Sequence, residues 1–333
     1  MWNRRRFIAA SIASSTISPF ATAAATPLLI DSHVHVWKHD PAFPFAQGAH
    51  PPAEDASVET LLDLMQANQV ARTVLIQVSH YRWDNSYLAS VLKRYPEKFR
   101  GVCRVDPEDP VAPDQLTQLT QERGFRGVRL SPAATAEGDW IRGPLMPPLW
   151  RRCAELKVPM TILTPVTRLP DVVPLIEQHP QLTIVIDHMA DCPLDRPDQL
   201  QLLLALARYP NVFVKISHMW SLSAQPYPYR NADAQVKRLN DTFGSKRLMW
   251  GTDWPISLKQ LPYNKAVALY RDHLDFLPSQ DREQILSKTV QQVWPFDLWS
   301  VNTRISPTAR TLSQQLPRNH HPLDLARPLT DRA

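Results

Sequence analysis

Two histidines one residue apart, His33 and His35, stand in the apolar run IDSHVHVW at residues 30–37. On a strand, alternate residues share a face and lie about 6.6 Å apart, so Asp31, His33 and His35 are expected to point the same way. Two imidazoles on one face can converge on a metal ion or on the oxygen of a polarised carbonyl. Taken alone, a pair of hydrogen-bonded strand histidines without a ligand explains the stretch equally well. Two further stretches tip the balance. His188 ends IVIDH, expected on the face of Ile184 and Ile186, and Asp253 in MWGTDWP is expected on the face of Met249 and Gly251. A carboxylate gathered with three histidines is costly to bury for packing alone, so the four together point to a site.

Positioning them requires strands. Short β-branched runs occupy residues 28–36, 72–80, 99–107, 125–132, 158–165, 182–189, 212–219 and 247–255. Between them lie stretches such as SVETLLDLMQANQV, opened by a serine cap, and DQLQLLLALARYP, with apolar residues at three and four spacing. This alternation predicts an α/β fold, a (β/α)8 TIM barrel, whose chemistry is built at the carboxyl ends of its strands. A doubly wound open sheet is the competing form. The barrel is preferred because no glycine-rich phosphate turn follows the first strand and polar residues gather at many strand ends.

The two ends of the chain read differently. Residues 1–25 hold Arg4, Arg5 and Arg6 before Phe7 and Ile8, a modest apolar stretch and a run of small residues. That pattern predicts a signal of the twin-arginine type, cleaved after Ala23 or Ala25, and too short and polar to anchor in a bilayer. The barrel domain is expected over 26–299 and a disordered polar tail over 300–333. The net charge of +5 comes from these ends: three arginines lie in the leader, and five arginines face two aspartates in the tail, which leaves the body at −1. A nucleic-acid role loses its main support. Cys103, Cys153 and Cys192 are odd in number and widely spaced, which argues against a disulfide framework.

The stretches IDSHVHVW, GFRGVRL, IVIDHMA, VKIS and LMWGTDWP, in this order, resemble the amidohydrolase superfamily. The likeness is greatest to its amidohydrolase-2 branch, which holds pyrone-dicarboxylate hydrolases and sugar-acid lactonases, and it spans residues 28 to 297. It implies an ester-bond hydrolase, often a lactonase, with His33 and His35 as the first-strand pair, His188 as the sixth-strand histidine and Asp253 as the base that activates water. Metal-dependent relatives place a histidine at the end of the fifth strand, where this chain has Thr164. Two versions therefore stand side by side. In one, a single divalent ion, zinc or manganese, is held by His33, His35 and Asp253, with or without His188. In the other, catalysis is metal-independent: the histidines donate hydrogen bonds to the carbonyl and Asp253 acts alone on water.

Other residues bear on the substrate. Arg129 is read as a clamp for a substrate carboxylate, against an ion pair at the barrel rim. Lys215, on the face of Ser217, is either a substrate ligand or a buried partner of Asp187 or Asp31. His218 falls on the opposite face unless the strand has ended before it. Gln77, Tyr227 and Arg230 are candidates for the pocket wall, and His39, Phe43, Phe45 and His50 for a lid. The expectation is an exported, periplasmic or secreted hydrolase that opens a small carboxylated lactone, an acidic small molecule being its partner. It would have no nucleic-acid partner and no stable membrane anchor, and would meet the twin-arginine machinery on its way out; the oligomeric state is left open. A metal-dependent decarboxylase of an aromatic or unsaturated acid, and a non-catalytic ligand-binding barrel, are the alternatives.

Overall fold

The computed structural model describes residues 28–131, 141 and 143–296; the leader and tail expected at 1–25 and 300–333 lie outside them. Eight strands follow one another: β1 (Leu29–Val34), β2 (Val70–Ile76), β3 (Phe99–Cys103), β4 (Gly127–Leu130), β5 (Met160–Ile162), β6 (Ile184–Ile186), β7 (Val212–Lys215) and β8 (Leu248–Met249). Each pairs in parallel with the next, in a single sheet of sequence order. The chain after β8 returns to β1: Ser32 N–H donates to Trp250 O at 3.2 Å, His35 N–H to Trp254 O at 2.8 Å and Asp253 N–H to His33 O at 2.9 Å. The sheet is thus the expected TIM barrel and not an open sheet.

Helices between the strands form where apolar residues recur at helical spacing, and the first is also capped by a side chain. Ser57 Oγ accepts from Thr60 N–H at 3.2 Å and opens the helix Val58–Ala67, which buries Val58, Leu61 and Met65. Burying a side chain of that size is worth roughly 1.5–3 kcal/mol. These residues join the outward-facing Leu75, Val128, Ile162, Ile184 and Val214 in the larger core cluster.

Inside the barrel, Ile30, Val74, Ile76, Val102, Val185, Phe213 and Met249 pack with Val290, Val293, Trp294 and Phe296. The last four come from the C-terminal stretch VQQVWPF. Arg72 and Arg100, near the starts of β2 and β3, hold their guanidinium carbons 5.4 and 4.6 Å from the Phe296 ring. This stretch therefore plugs the amino end of the barrel, and the carboxyl end is the one left for chemistry.

The strands are shorter than the runs read from the sequence, mostly at their carboxyl ends. After β6 the backbone turns left-handed at His188, Met189 and Ala190, with φ of 52°, 54° and 56°. His218 and Asp253 do the same after β7 and β8, at 67° and 56°. Left-handed backbone disfavours any residue with a Cβ, and such strain gathers at functional sites.

The seam between β1 and the end of β8 has no room for one more methyl group. A Cβ on Gly251 would lie 2.7 Å from His33 Cβ and 3.2 Å from His33 N. Gly251→Ala is expected to cost about 1–3 kcal/mol of stability, as overpacking against backbone does. Urea unfolding checks it, and a change below about 0.5 kcal/mol would show that the seam yields.

Candidate active site

His33 on β1 and His35 just beyond it do converge, with their Nε2 atoms 3.3 Å apart. Asp253 Oδ1 lies 3.4 Å from His33 Nε2 and 3.3 Å from His35 Nε2. Asp31 does not share their face. The register of β1 shifts between Asp31 and Val34, which breaks strict alternation, and the Asp31 carboxylate turns to Thr252. It accepts from Thr252 Oγ1 at 2.6 Å, Thr252 N–H at 3.1 Å and His33 N–H at 3.0 Å. Asp31 thus ties β1 to the end of β8 from behind the histidines.

His188 arrives by a different route from the one its position suggests. Ile184 and Ile186 belong to the outward cluster and Val185 to the inward one, so alternation alone would point His188 outward. The left-handed turn swings it back, and its ring centroid lies 4.4 Å from that of His33. Asp187, on the inward parity, enters the barrel as well. There it meets Lys215 Nζ at 3.1 Å, Arg129 Nε at 2.9 Å and His33 Nδ1 at 3.3 Å. Lys215, which also stands 3.0 Å from His33 Nδ1, and Arg129 both pair with Asp187: the buried partner held open for Lys215 and the ion pair held open for Arg129 are both present.

His218 also bends into the mouth, because β7 ends at Lys215 and the left-handed turn redirects the chain. Its Nε2 is 2.6 Å from Asp253 Oδ2 and its Nδ1 is 3.3 Å from Asp191 Oδ1. The ring stacks on His188 at 3.5 Å, within 3° of parallel, and His188 Nδ1 is 2.7 Å from Ser217 Oγ. Asp187, Asp191 and Ser217 were not singled out as site residues from the sequence. His218 was likewise read onto the opposite face and is brought in only by the early end of β7; for Asp187 and Asp191 the available signal was their adjacency, in IDHMAD, to His188.

The remaining candidates lie apart from this cluster in their contacts. Buried Gln77 at the end of β2 donates to Asp84 O. Arg230 pairs with Asp275 at 2.7 Å and Asp233 at 3.2 Å. Tyr227 Oη reaches Lys265 O at 3.4 Å. Among the lid candidates, Phe45 stacks on Tyr81 at 4.8 Å, and His39 pairs with Asp55 at 2.7 Å.

Charge states follow from burial and neighbours. Burial, then the Lys215 charge, lowers His33 to about 3, so its ring is neutral. Burial and the charge of His218 likewise hold His188 well below the usual range. For His218 burial works downward but the Asp191 and Asp253 carboxylates win, raising it to about 9. Burial works upward on Asp187 and Asp253, yet Lys215, His33 and Arg129 hold the first well below the ordinary carboxylate range, and His218 and His35 hold the second there.

These facts decide whether a metal fits. His35 Nδ1 is 2.7 Å from Ile76 O; a carbonyl only accepts, so the proton is on Nδ1 and the Nε2 lone pair faces inward. Two acceptors, His35 Nε2 and Asp253 Oδ1, thus meet the Nε2 of a neutral His33, an arrangement that needs a shared proton or a cation. The three edges, 3.3, 3.4 and 3.3 Å, match the roughly 3.3–3.6 Å between ligands about 2.0–2.2 Å from a tetrahedral zinc. His188 and His218 make a poorer pair, because the lone pairs of stacked rings run parallel. His33, His35 and Asp253 fit a divalent ion.

The sequence profile of the amidohydrolase family matches residues 30–296. The chain belongs to the amidohydrolase family. This amidohydrolase is 31% identical over 238 residues to an L-fucono-1,5-lactonase of Burkholderia ambifaria, covering 68% of this chain and 80% of that one. It is 27% identical to a 2-pyrone-4,6-dicarboxylate hydrolase of Comamonas testosteroni, covering 80% and 90%. Among solved structures, an amidohydrolase of Burkholderia multivorans with bound zinc superposes with a TM-score of 0.65 at 23% identity, covering 80% and 98%, a likeness of fold.

Two expectations follow for this amidohydrolase. Elemental analysis should find about one divalent ion per chain, and His35→Asn should weaken metal affinity by more than about tenfold, since even outer partners of ligands carry that much. Equal metal content and affinity in the variant would remove His35 from the ligand set. The second concerns Asp31, whose carboxyl is pushed by burial from 3.8 up to about 7 against its three hydrogen bonds. A folded value above the unfolded one gives a contribution that is complete below about pH 4 and is lost as pH rises through about 7. Melting curves of Asp31→Asn should therefore decline less than those of the wild type across that window, and parallel curves would refute it.

Proposed function

We propose that this amidohydrolase opens a small carboxylated lactone by adding water across the ring ester. The observation that carries the proposal is the convergence of His33 Nε2, His35 Nε2 and Asp253 Oδ1 while His218 holds the other oxygen of Asp253. The curated relatives, which open lactones, support the same reaction class.

His33, His35 and Asp253 would hold a divalent ion, zinc or manganese, which when bound polarises a carbonyl and lowers the pKa of water to about 7. The residues have their own tasks. Asp253, kept low by its partners, is a weak base whose strength is direction: His218 donates to Oδ2 and fixes the plane in which Oδ1 accepts a proton from water. We assign the Ser217 hydroxyl as donor to His188 Nδ1, 2.7 Å away, which keeps the His188 proton on Nε2. That N–H faces the cluster and donates to the carbonyl oxygen as it gains charge. The water oxygen bonds to the carbonyl carbon, the ring C–O bond breaks, and the proton taken by Asp253 passes to the departing alkoxide. The product is a hydroxy acid, and its ionisation releases one proton.

The leader at 1–25 supports export of the folded protein by the twin-arginine route to the periplasm or beyond. The test of function is proton release from a panel of carboxylated and sugar lactones by purified mature protein. Asp253→Asn is expected to lower kcat/KM by about 10²–10⁴-fold. Turnover of no lactone, or release of carbon dioxide from an aromatic acid in its place, would overturn the proposal.

A further inference from the structure

On β3 the inward positions are every second residue. Arg100 lies against Phe296, Val102 belongs to the inward cluster, and Arg104 follows in the same parity at the mouth. On β4, a Cβ at Gly127 would meet Val102 and Trp294, both inward, so Arg129 two residues on is inward too. Val102 pairs with Gly127 and Cys103 with Val128, and the next step of that register sets Arg104 beside Arg129. Two guanidinium groups therefore share the β3–β4 wall of the mouth.

They differ in their counter-ions. Arg129 has Asp187 at 2.9 Å. Among the described residues Arg104 meets no carboxylate, and its Nε is buried without a hydrogen-bond partner. What it does touch is the ring of Trp83, 36% exposed, with Cζ 5.1 Å from the ring centroid. Burial, then the charge of Arg129, lowers Arg104 to about 10. A stacked ring returns less than the lost hydration of a guanidinium, so nothing among the described residues balances this cation. Its backbone is nonetheless fixed: Asn85 Oδ1 accepts from Arg104 N–H at 3.0 Å, and Asn85 Nδ2 donates to Arg104 O at 2.9 Å. A side chain held in place beside a like charge, with a planar fork of donors and no acceptor among the described residues, suits a carboxylate delivered by the ligand.

We propose that Arg104 is the residue that binds the carboxylate of the substrate, selecting acidic over neutral lactones. The proposal rests on the lactone-opening reading and deepens it. The acid group lies at the β3–β4 wall, and the ring carbonyl reaches toward His33, His35 and Asp253 at the β1–β8 seam. Arg129, engaged by Asp187, sits next to this subsite and adds charge to it.

The experiment compares wild type with Arg104→Gln and Arg104→Met, using 5-oxotetrahydrofuran-2-carboxylate, γ-butyrolactone and the acyclic dianion glutarate. Replacing Arg104 should raise KM for the carboxylated lactone by about 10–100-fold, as loss of a charged hydrogen-bond pair does, and leave kcat/KM for γ-butyrolactone within about twofold. Glutarate should raise the melting temperature of the wild type and not that of the variants. Arg104→Met should itself melt higher than the wild type, by about 2–4 °C, because an unbalanced, half-buried charge is gone; an arginine with only a structural role would melt lower. A wild type that binds glutarate through Arg104 but turns over no lactone supports the subsite and sinks the reaction. Lactone turnover with equal glutarate responses in wild type and Arg104→Gln, or no glutarate response in either, overturns the subsite and leaves the reaction standing.

Discussion

Closing the barrel forces the end of β8 against β1, and the rest of the site depends on that contact. Gly251 lets the two backbones approach, since a Cβ there would overlap His33. Asp31 binds Thr252 across the seam by both side chain and backbone, and the Asp253 amide donates to His33 O. With these in place, His33, His35 and Asp253 have few positions open to them other than the triangle they form. The precision of the triangle is borrowed from backbone hydrogen bonds, which a loop-borne site would lack.

Behind the triangle, the electrostatics are arranged in two shells of opposite need. Asp187 is a buried anion balanced by Lys215 and Arg129, and it keeps a cation-rich barrel interior from repelling itself. Asp253 is a second anion balanced by His218, which Asp191 supports from the solvent side. Removing Asp187, or the His218 partner of Asp253, leaves buried charge uncompensated, which is far costlier than the pair is worth. The network therefore holds His33 and His188 neutral, the state in which imidazole nitrogens can ligate or donate, and keeps His218 charged against Asp253.

Much of this was legible in the chain. The eight strands, their order and the barrel followed from the alternation of β-branched runs with stretches of helical spacing, because hydrophobic period is a local property. His33, His35, His188 and Asp253 were legible because each sits at a strand end among apolar residues. The partners were not. Alternation placed Asp31 with the histidines and His188 on the face of Ile184 and Ile186, and a register shift in β1 and a left-handed turn after β6 changed both. Such irregularities cost local energy and are stable only when the surrounding fold compensates, so no local pattern announces them.

The sequence by itself determined the architecture, the end of the barrel where polar side chains gather and four residues that meet there. Only the tertiary structure decided which carboxylate each cation meets: Asp187 for Lys215 and Arg129, Asp253 for His218, and none among the described residues for Arg104. The reason is physical. Which side chains a residue can bury is set by neighbours a few positions away, whereas a charge finds its partner across the barrel, over separations of 28 to 58 residues in these pairs, where only the closed sheet brings them within reach.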